Sequence, residues 1–256
     1  MKFAFKSVVA AVAFVAAGAA SAAATTVNVG SAINGITLNG GTGKLSFSAD
    51  LLAALDTGKV AVSSWAPGTA IGAKDADGFY TEVSATAVIT SMVIDSATNE
   101  ILSVATAGGA TQTSPALKGV SSGGSLTVGD LNVDLVNNKI YATVIGANGV
   151  GTLSNFHLWD IVNPTPVDTF AAGTNLLTEV SGLKITTAGF DTFVKSLGLL
   201  SLGKGALATV ADFGTITTTV NASAVLTPPA VPEPSTYALM GLGLVGIAAV
   251  ARRRAA

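Results

Sequence analysis

His157 is the only histidine in a chain of 256 residues that contains no cysteine. The chemistry open to it is therefore narrow from the start. Without thiols there are no disulfides, no thiolate nucleophile and no cysteine metal site. His157 lies in Ser154-Asn155-Phe156-His157-Leu158-Trp159-Asp160. On a regular strand Phe156 and Leu158 share one face, and His157 and Trp159 share the other. Two readings follow: a ligand or general base oriented by an acid, or a strand histidine stacked beside Trp159. A transition-metal site centred on it would draw nearly all its other ligands from carboxylates, and none is expected.

Three further patterns carry candidate chemistry. Gly119-Val120-Ser121-Ser122-Gly123 matches the Gly-x-Ser-x-Gly of a hydrolase nucleophile elbow. Asp130 or Asp134 and then His157 follow in the Ser, Asp, His order of that fold. The elbow needs a strand before the serine and a helix after it. Here Ser114-Pro115 precedes and a strand-like run follows, so a flexible loop is the simpler expectation. The neighbouring Ser121 to Ser125 run lacks the lysine and the following helix of a phosphate-binding loop. Lys74-Asp75-Ala76-Asp77-Gly78, with Glu82 nearby, is the best loop for a hard cation. It supplies fewer acids than the 6–8 oxygens around calcium generally require, and a solvated turn with Gly78 at positive φ is expected. Asp130 and Asp134 would lie about 13 Å apart on one face of a straight strand. That is too far for a shared proton.

Mixed Thr, Val, Ser, Ala, Gly and Asn composition favours strands joined by tight turns. Strand-like runs include 44–47, 60–63, 82–94 (one strand or two), 126–128, 131–135, 140–145 and 214–220. Asn137-Asn138 and Ala147-Asn148-Gly149 are hairpin turns, so 125–162 reads as a meander of about four strands. Two short helices are expected. Ser48 caps one carrying Leu51, Leu52 and Leu55 and ending near Gly58. Thr187 caps the other, with Phe190, Phe193, Val194 and Leu197 on one face and Gly198 to end it. The fold class expected is mainly β: an antiparallel, β-sandwich-like domain with one or two short helices. A signal helix before it and a transmembrane helix after it complete the chain.

The two ends are of another kind. Met1 to about Ala24 has a positive start at Lys2 and Lys6, an apolar stretch from Val8 to Ala17, and a small-x-small site at Ala20-Ser21-Ala22. This is the layout of a cleaved secretory signal peptide. At the other end, residues 227–234 hold four of the eight prolines and read as a stiff linker. Pro232-Glu233-Pro234 stays extended, because each proline fixes φ and removes a donor. From Ser235 to Ala251 there is no charge, and Arg252, Arg253 and Arg254 follow. A bilayer crossing takes about 20 apolar residues. Tyr237 suits one interface and the arginines the cytoplasmic one.

This order of Pro-Glu-Pro, apolar run and arginine cluster resembles the PEP-CTERM sorting signal of Gram-negative bacteria. The resemblance implies export, a transient inner-membrane anchor and processing by an exosortase. The domains expected are 1–24 signal peptide, 25–226 exported domain, 227–234 linker with the motif, and 235–256 membrane helix with basic tail.

With the two targeting ends set aside, the positive mean hydropathy of +0.60 no longer points to a membrane-embedded body. The region 25–231 carries eight lysines, no arginine and fourteen acidic residues, a net charge of −6. Nucleic acid needs a basic patch, so it is not an expected partner. A second resemblance rests on Leu45-Ser46-Phe47 before Leu51 to Leu55, Gly123-Gly124-Ser125-Leu126 leading into Leu131 to Leu135, and Leu183 to Gly189. This order is similar to HtaA-type β-rich surface modules, some of which bind haem through a tyrosine and a histidine. It implies a β-rich fold, with His157 the sole candidate for such a ligand and no family motif around it.

The function expected is that of an exported envelope or extracellular-matrix structural protein, not an enzyme and without cofactor. Its partners are the export machinery, an exosortase, exopolysaccharide and, transiently, the inner membrane. A carbohydrate- or small-ligand-binding surface module is the alternative, and a secreted hydrolase a weaker one. Aromatic residues, the usual sugar platforms, are only 6% of the chain, which counts against the carbohydrate module.

Overall fold

A computed structural model describes residues 23–163, 168–173, 175–225, 239–245, 247 and 252–253. The chain divides into two compact units, Met1–Ser223 and Ala224–Ala256. The signal peptide with Ala20, Ser21 and Ala22, and the motif Pro232, Glu233 and Pro234, lie outside the described residues, as does Arg254.

The first unit opens with β1 (Ala24–Asn28), β2 (Ala32–Ile33) and β3 (Ile36–Phe47), then α1 (Ala49–Thr57). Next come β4 (Ala61–Trp65), β5 (Thr69–Lys74), the long β6 (Tyr80–Asp95), β7 (Ile101–Ala107) and β8 (Gly109–Leu117). They are followed by β9 (Ser121–Asp134), β10 (Lys139–Gly146), β11 (Gly151–Asn163) and β12 (Asn175–Ile185). The unit ends with α2 (Thr187–Ser196), α3 (Ser201–Ala208) and β13 (Gly214–Ala224). The fold is mainly β and antiparallel, as the turn-rich composition predicts.

Among the described residues all thirteen strands belong to one sheet, and that sheet folds over onto itself. The path runs β6-β3-β13-β12-β11-β10-β9, and β7 pairs with both β6 and β9. Val88 pairs with Thr42 of β3 and with Ala107 of β7, so these two strands flank β6 on opposite sides. The ring therefore closes through β7. Two facing layers, as in a sandwich, are joined at their edge around one interior.

Period-two burial lines that interior. In β13, Gly214, Ile216, Thr218 and Val220 are buried, while Thr215, Thr217 and Thr219 are not. One apolar cluster gathers Val27, Leu38, Ile89, Met92, Ile94, Ile101 and Phe170. A second contains Ile140, Val144, Leu158, Trp159, Leu183, Phe193 and Phe213. The rings of Phe193 and Phe213 meet edge to face at 5.8 Å, a favoured aromatic geometry.

The helices are fixed by their caps. Ser48 accepts a hydrogen bond from Leu51 N–H at 3.1 Å and donates to the Asp212 carbonyl. For α2 the cap is Thr186, one residue earlier than expected. Its hydroxyl, not that of Thr187, accepts from Gly189 N–H at 3.0 Å. Phe193 and Leu197 are buried, whereas Phe190 is only partly so. The third helix, α3, has no counterpart among the expected elements, because it begins without a side-chain cap and contains Gly203 and Gly205.

The expected four-strand meander is three strands, β9 to β11. Residues 126–128 and 131–135 are one strand, with a bulge at Asp130 and Leu131: Asn132 pairs with Tyr141 and Gly129 with Thr143, leaving two residues of β9 opposite Ala142. Asp130 takes φ 48°, a conformation asparagine and aspartate tolerate best among residues with a side chain.

In the second unit, residues 239–245, 247 and 252–253 are helical. Leu239, Met240, Leu242, Leu244, Val245 and Ile247 are all exposed, as are Arg252 and Arg253. No helix among the described residues is long and apolar enough to cross a membrane.

Candidate functional site

His157 stands on β11 beside a bulge that the sequence did not signal. Ile140 pairs with Trp159 but Tyr141 pairs with His157, so Leu158 is the extra residue. The extra residue shifts the alternation: Leu158 and Trp159 are both buried. His157 is thereby parted from Trp159, its expected face-mate, and brought to Asp160. His157 Nε2 lies 2.9 Å from Asp160 Oδ1. Its ring neighbour is Tyr141, the cross-strand partner, with centroids 5.4 Å apart and planes tilted by 40°. Both members of the His157–Asp160 pair are partly exposed. This pair could pass a proton at the surface, and among the described residues no serine hydrogen-bonds to it.

Ser121 is elsewhere and otherwise engaged. Gly119 and Val120 form a turn, and Ser121 begins β9. The segment is thus a turn followed by a strand, in place of both the flexible loop and the strand-to-helix elbow. The buried Ser121 hydroxyl donates to the Leu197 carbonyl at 2.7 Å and accepts from Gly123 N–H at 2.9 Å. It fastens the start of β9 to the end of α2. Asn148 reinforces the same junction, its Nδ2 donating to the carbonyls of Gly123, Lys195 and Ser196 at 3.1–3.2 Å. Gly124 is needed there because a Cβ would sit 2.2 Å from the Ser196 carbonyl oxygen.

The acidic candidates are also engaged, three with backbone donors and one with a lysine. Asp75 Oδ1 accepts from the N–H groups of Asp77 and Phe79 at 3.0 and 2.9 Å, closing the β5–β6 hairpin. Gly78 has φ 86°, as expected. Glu82 lies 3.6 Å from Lys44. Asp130 Oδ1 accepts from Gly108 N–H at 2.9 Å. Asp134 accepts from the N–H groups of Val136 and Asn137 and from the Asn137 side chain. Among the described residues no three His, Asp or Glu side chains are grouped to hold a metal ion.

The comparisons with known proteins point to the other end of the chain. Residues 230–254 match the family described as the PEP-CTERM protein-sorting motif. No curated protein and no solved structure matches the chain, so the likeness to HtaA-type modules gains no support from them. The match spans Pro232-Glu233-Pro234, the apolar run and Arg252 to Arg254. The chain thus ends in a PEP-CTERM sorting motif, which implies an exported protein sorted by an exosortase.

Proposed function

We propose that this protein is a structural component of the cell envelope or extracellular matrix, associated with exopolysaccharide. It is held in the inner membrane by its tail until an exosortase releases it. The match of residues 230–254 to the sorting motif carries the reading. The character of the tail helix supports it. A helix that is apolar all round is at home in a membrane or a core, and every described apolar residue of 239–247 is exposed. Arg252 and Arg253 follow on the side that the positive-inside bias assigns to the cytoplasm.

For the body, support comes from what its polar groups do. Ser121, Asp75, Asp130 and Asp134 each satisfy backbone donors or acceptors, which is structural work. Outward-facing threonines, such as Thr215, Thr217 and Thr219 of β13, offer hydroxyls that bond polysaccharide weakly and in number. On this reading the protein is not an enzyme and takes up neither metal nor haem. The test uses the purified protein on ester, peptide and glycoside panels, with metal analysis and haem titration. Blank panels are expected. Turnover abolished by Ser121→Ala or His157→Ala, a stoichiometric metal, or a saturating haem band would reject it. Fractionation of cells with and without the exosortase tests the sorting half.

A further inference from the structure

Strand pairing sets two rows of side chains on the outer face of the sheet across β9 to β12. In one row Asn132 stands opposite Tyr141, and Tyr141 opposite His157. In the next, Asp134 stands opposite Lys139, Lys139 opposite Asp160, and Asp160 opposite Lys184. Between the rows Val133, Ile140, Leu158 and Trp159 are buried, so both rows point outward. The bulge in β11 makes this possible, because it takes up Leu158 and Trp159 together and leaves His157 and Asp160 on the same side.

Opposite charges directly across a sheet ordinarily attract one another. Here the acids are engaged and the bases are not. Asp134 accepts from the N–H groups of Val136 and Asn137 and from the Asn137 side chain, and Asp160 lies against His157. Among the described residues Lys139, Lys184 and the Tyr141 hydroxyl have no hydrogen-bond or ion-pair partner. The face therefore offers unused donors, two of them cationic, beside the Tyr141–His157 ring pair. Lys139 and Lys184 stand two strands apart, about 10 Å, the span of a short oligosaccharide. Tyr141 supplies a rigid amphipathic ring, with an apolar body for the C–H side of a sugar and a hydroxyl for its rim. Hydrogen bonds between charged groups are the stronger ones, so the acceptor that best suits two unused ammonium groups is a carboxylate.

We propose that this outer face of β9 to β12 binds acidic polysaccharide, with Tyr141 against a sugar ring and Lys139 and Lys184 on uronate carboxylates. The inference rests on the exopolysaccharide reading above and gives it a site and a sugar class.

The test uses the full-length protein purified in detergent, with detergent-only blanks. Trigalacturonate, maltotriose and triglutamate are titrated by ligand-observed NMR. Trigalacturonate should bind saturably, about 10-fold tighter than maltotriose, the factor that two exposed ion pairs supply together. That advantage should fade at high salt. Triglutamate, which has carboxylates but no sugar ring, should not saturate. Lys139→Ala combined with Lys184→Ala should remove the preference for trigalacturonate, and Tyr141→Ala should abolish binding of both sugars. Lys118→Ala, on the turn before β9 and far along that strand from the face, should change nothing. If Tyr141→Ala loses the parent circular dichroism spectrum, the lysine variant decides alone. Binding that the lysine variant leaves unchanged, equal affinity for the two sugars, or triglutamate binding as tight as trigalacturonate would each overturn the proposal. Cosedimentation with exopolysaccharide from the producing cells tests the underlying reading separately. Retention there without trigalacturonate binding overturns the site alone, and absence of both overturns the two together.

Discussion

Phe193→Ala removes the side chain on which the α2 contact with the sheet depends. Phe193 is 1% exposed and meets Phe213 edge to face. Truncating a buried phenylalanine costs about 3–5 kcal/mol, the upper values going with sites packed on all sides. Phe193 borders free space on one side, so some ring contacts are already missing and the lower part of the range applies, about 3–4 kcal/mol. In a unit of this size each kcal/mol moves the melting temperature by about 2–4 °C. The variant should therefore melt about 6–16 °C lower. The assay is thermal unfolding of the purified protein followed by near-ultraviolet circular dichroism. Phe79→Ala is the control: Phe79 is 56% exposed, and its loss should cost within about 0.5 kcal/mol. A Phe193→Ala protein that melts within about 2 °C of its parent would refute the claim that α2 is docked through this ring.

Asn148→Asp keeps a residue that tolerates the positive φ of 54° but turns a donor to three carbonyls into an acceptor. It should cost about 2–3 kcal/mol, read as a lower denaturant midpoint at unchanged slope. Gly129→Ala would put a Cβ 2.5 Å from the Trp65 ring and 2.7 Å from the Gly108 carbonyl oxygen. It should cost about 1–3 kcal/mol and shift Trp65 emission, whereas Gly149→Ala, with nothing within 4 Å, should show only the backbone penalty of about 1 kcal/mol at positive φ.

Local signals are legible in the sequence at several positions where one residue decides the outcome. Ser48 before Leu51 predicted α1 and its cap, and Asn138 and Asn148 predicted turns that do take positive φ. What the sequence hid depends on partners distant in the chain. Nothing in Phe156-His157-Leu158-Trp159 reveals a bulge, because a bulge is a mismatch with β10 and appears only on pairing. The closure of the sheet by β7 is a long-range fact for the same reason. Gly119, Gly123 and Gly124 give Ser121 the look of a loop residue, yet Gly124 is there to admit the end of α2. The sorting motif is legible, since its order of proline pair, apolar run and arginines is local.

The central claim is that the tail is a sorting signal removed during export. Intact-mass measurement of the protein recovered from the envelope or matrix fraction tests it most directly, in cells with and without the exosortase. With the enzyme present, the mass should correspond to a chain lacking Arg252 to Arg254 and the apolar run. Without it, the full tail should persist in the membrane fraction. Recovery of a full-length tail from the matrix of exosortase-containing cells would contradict the account.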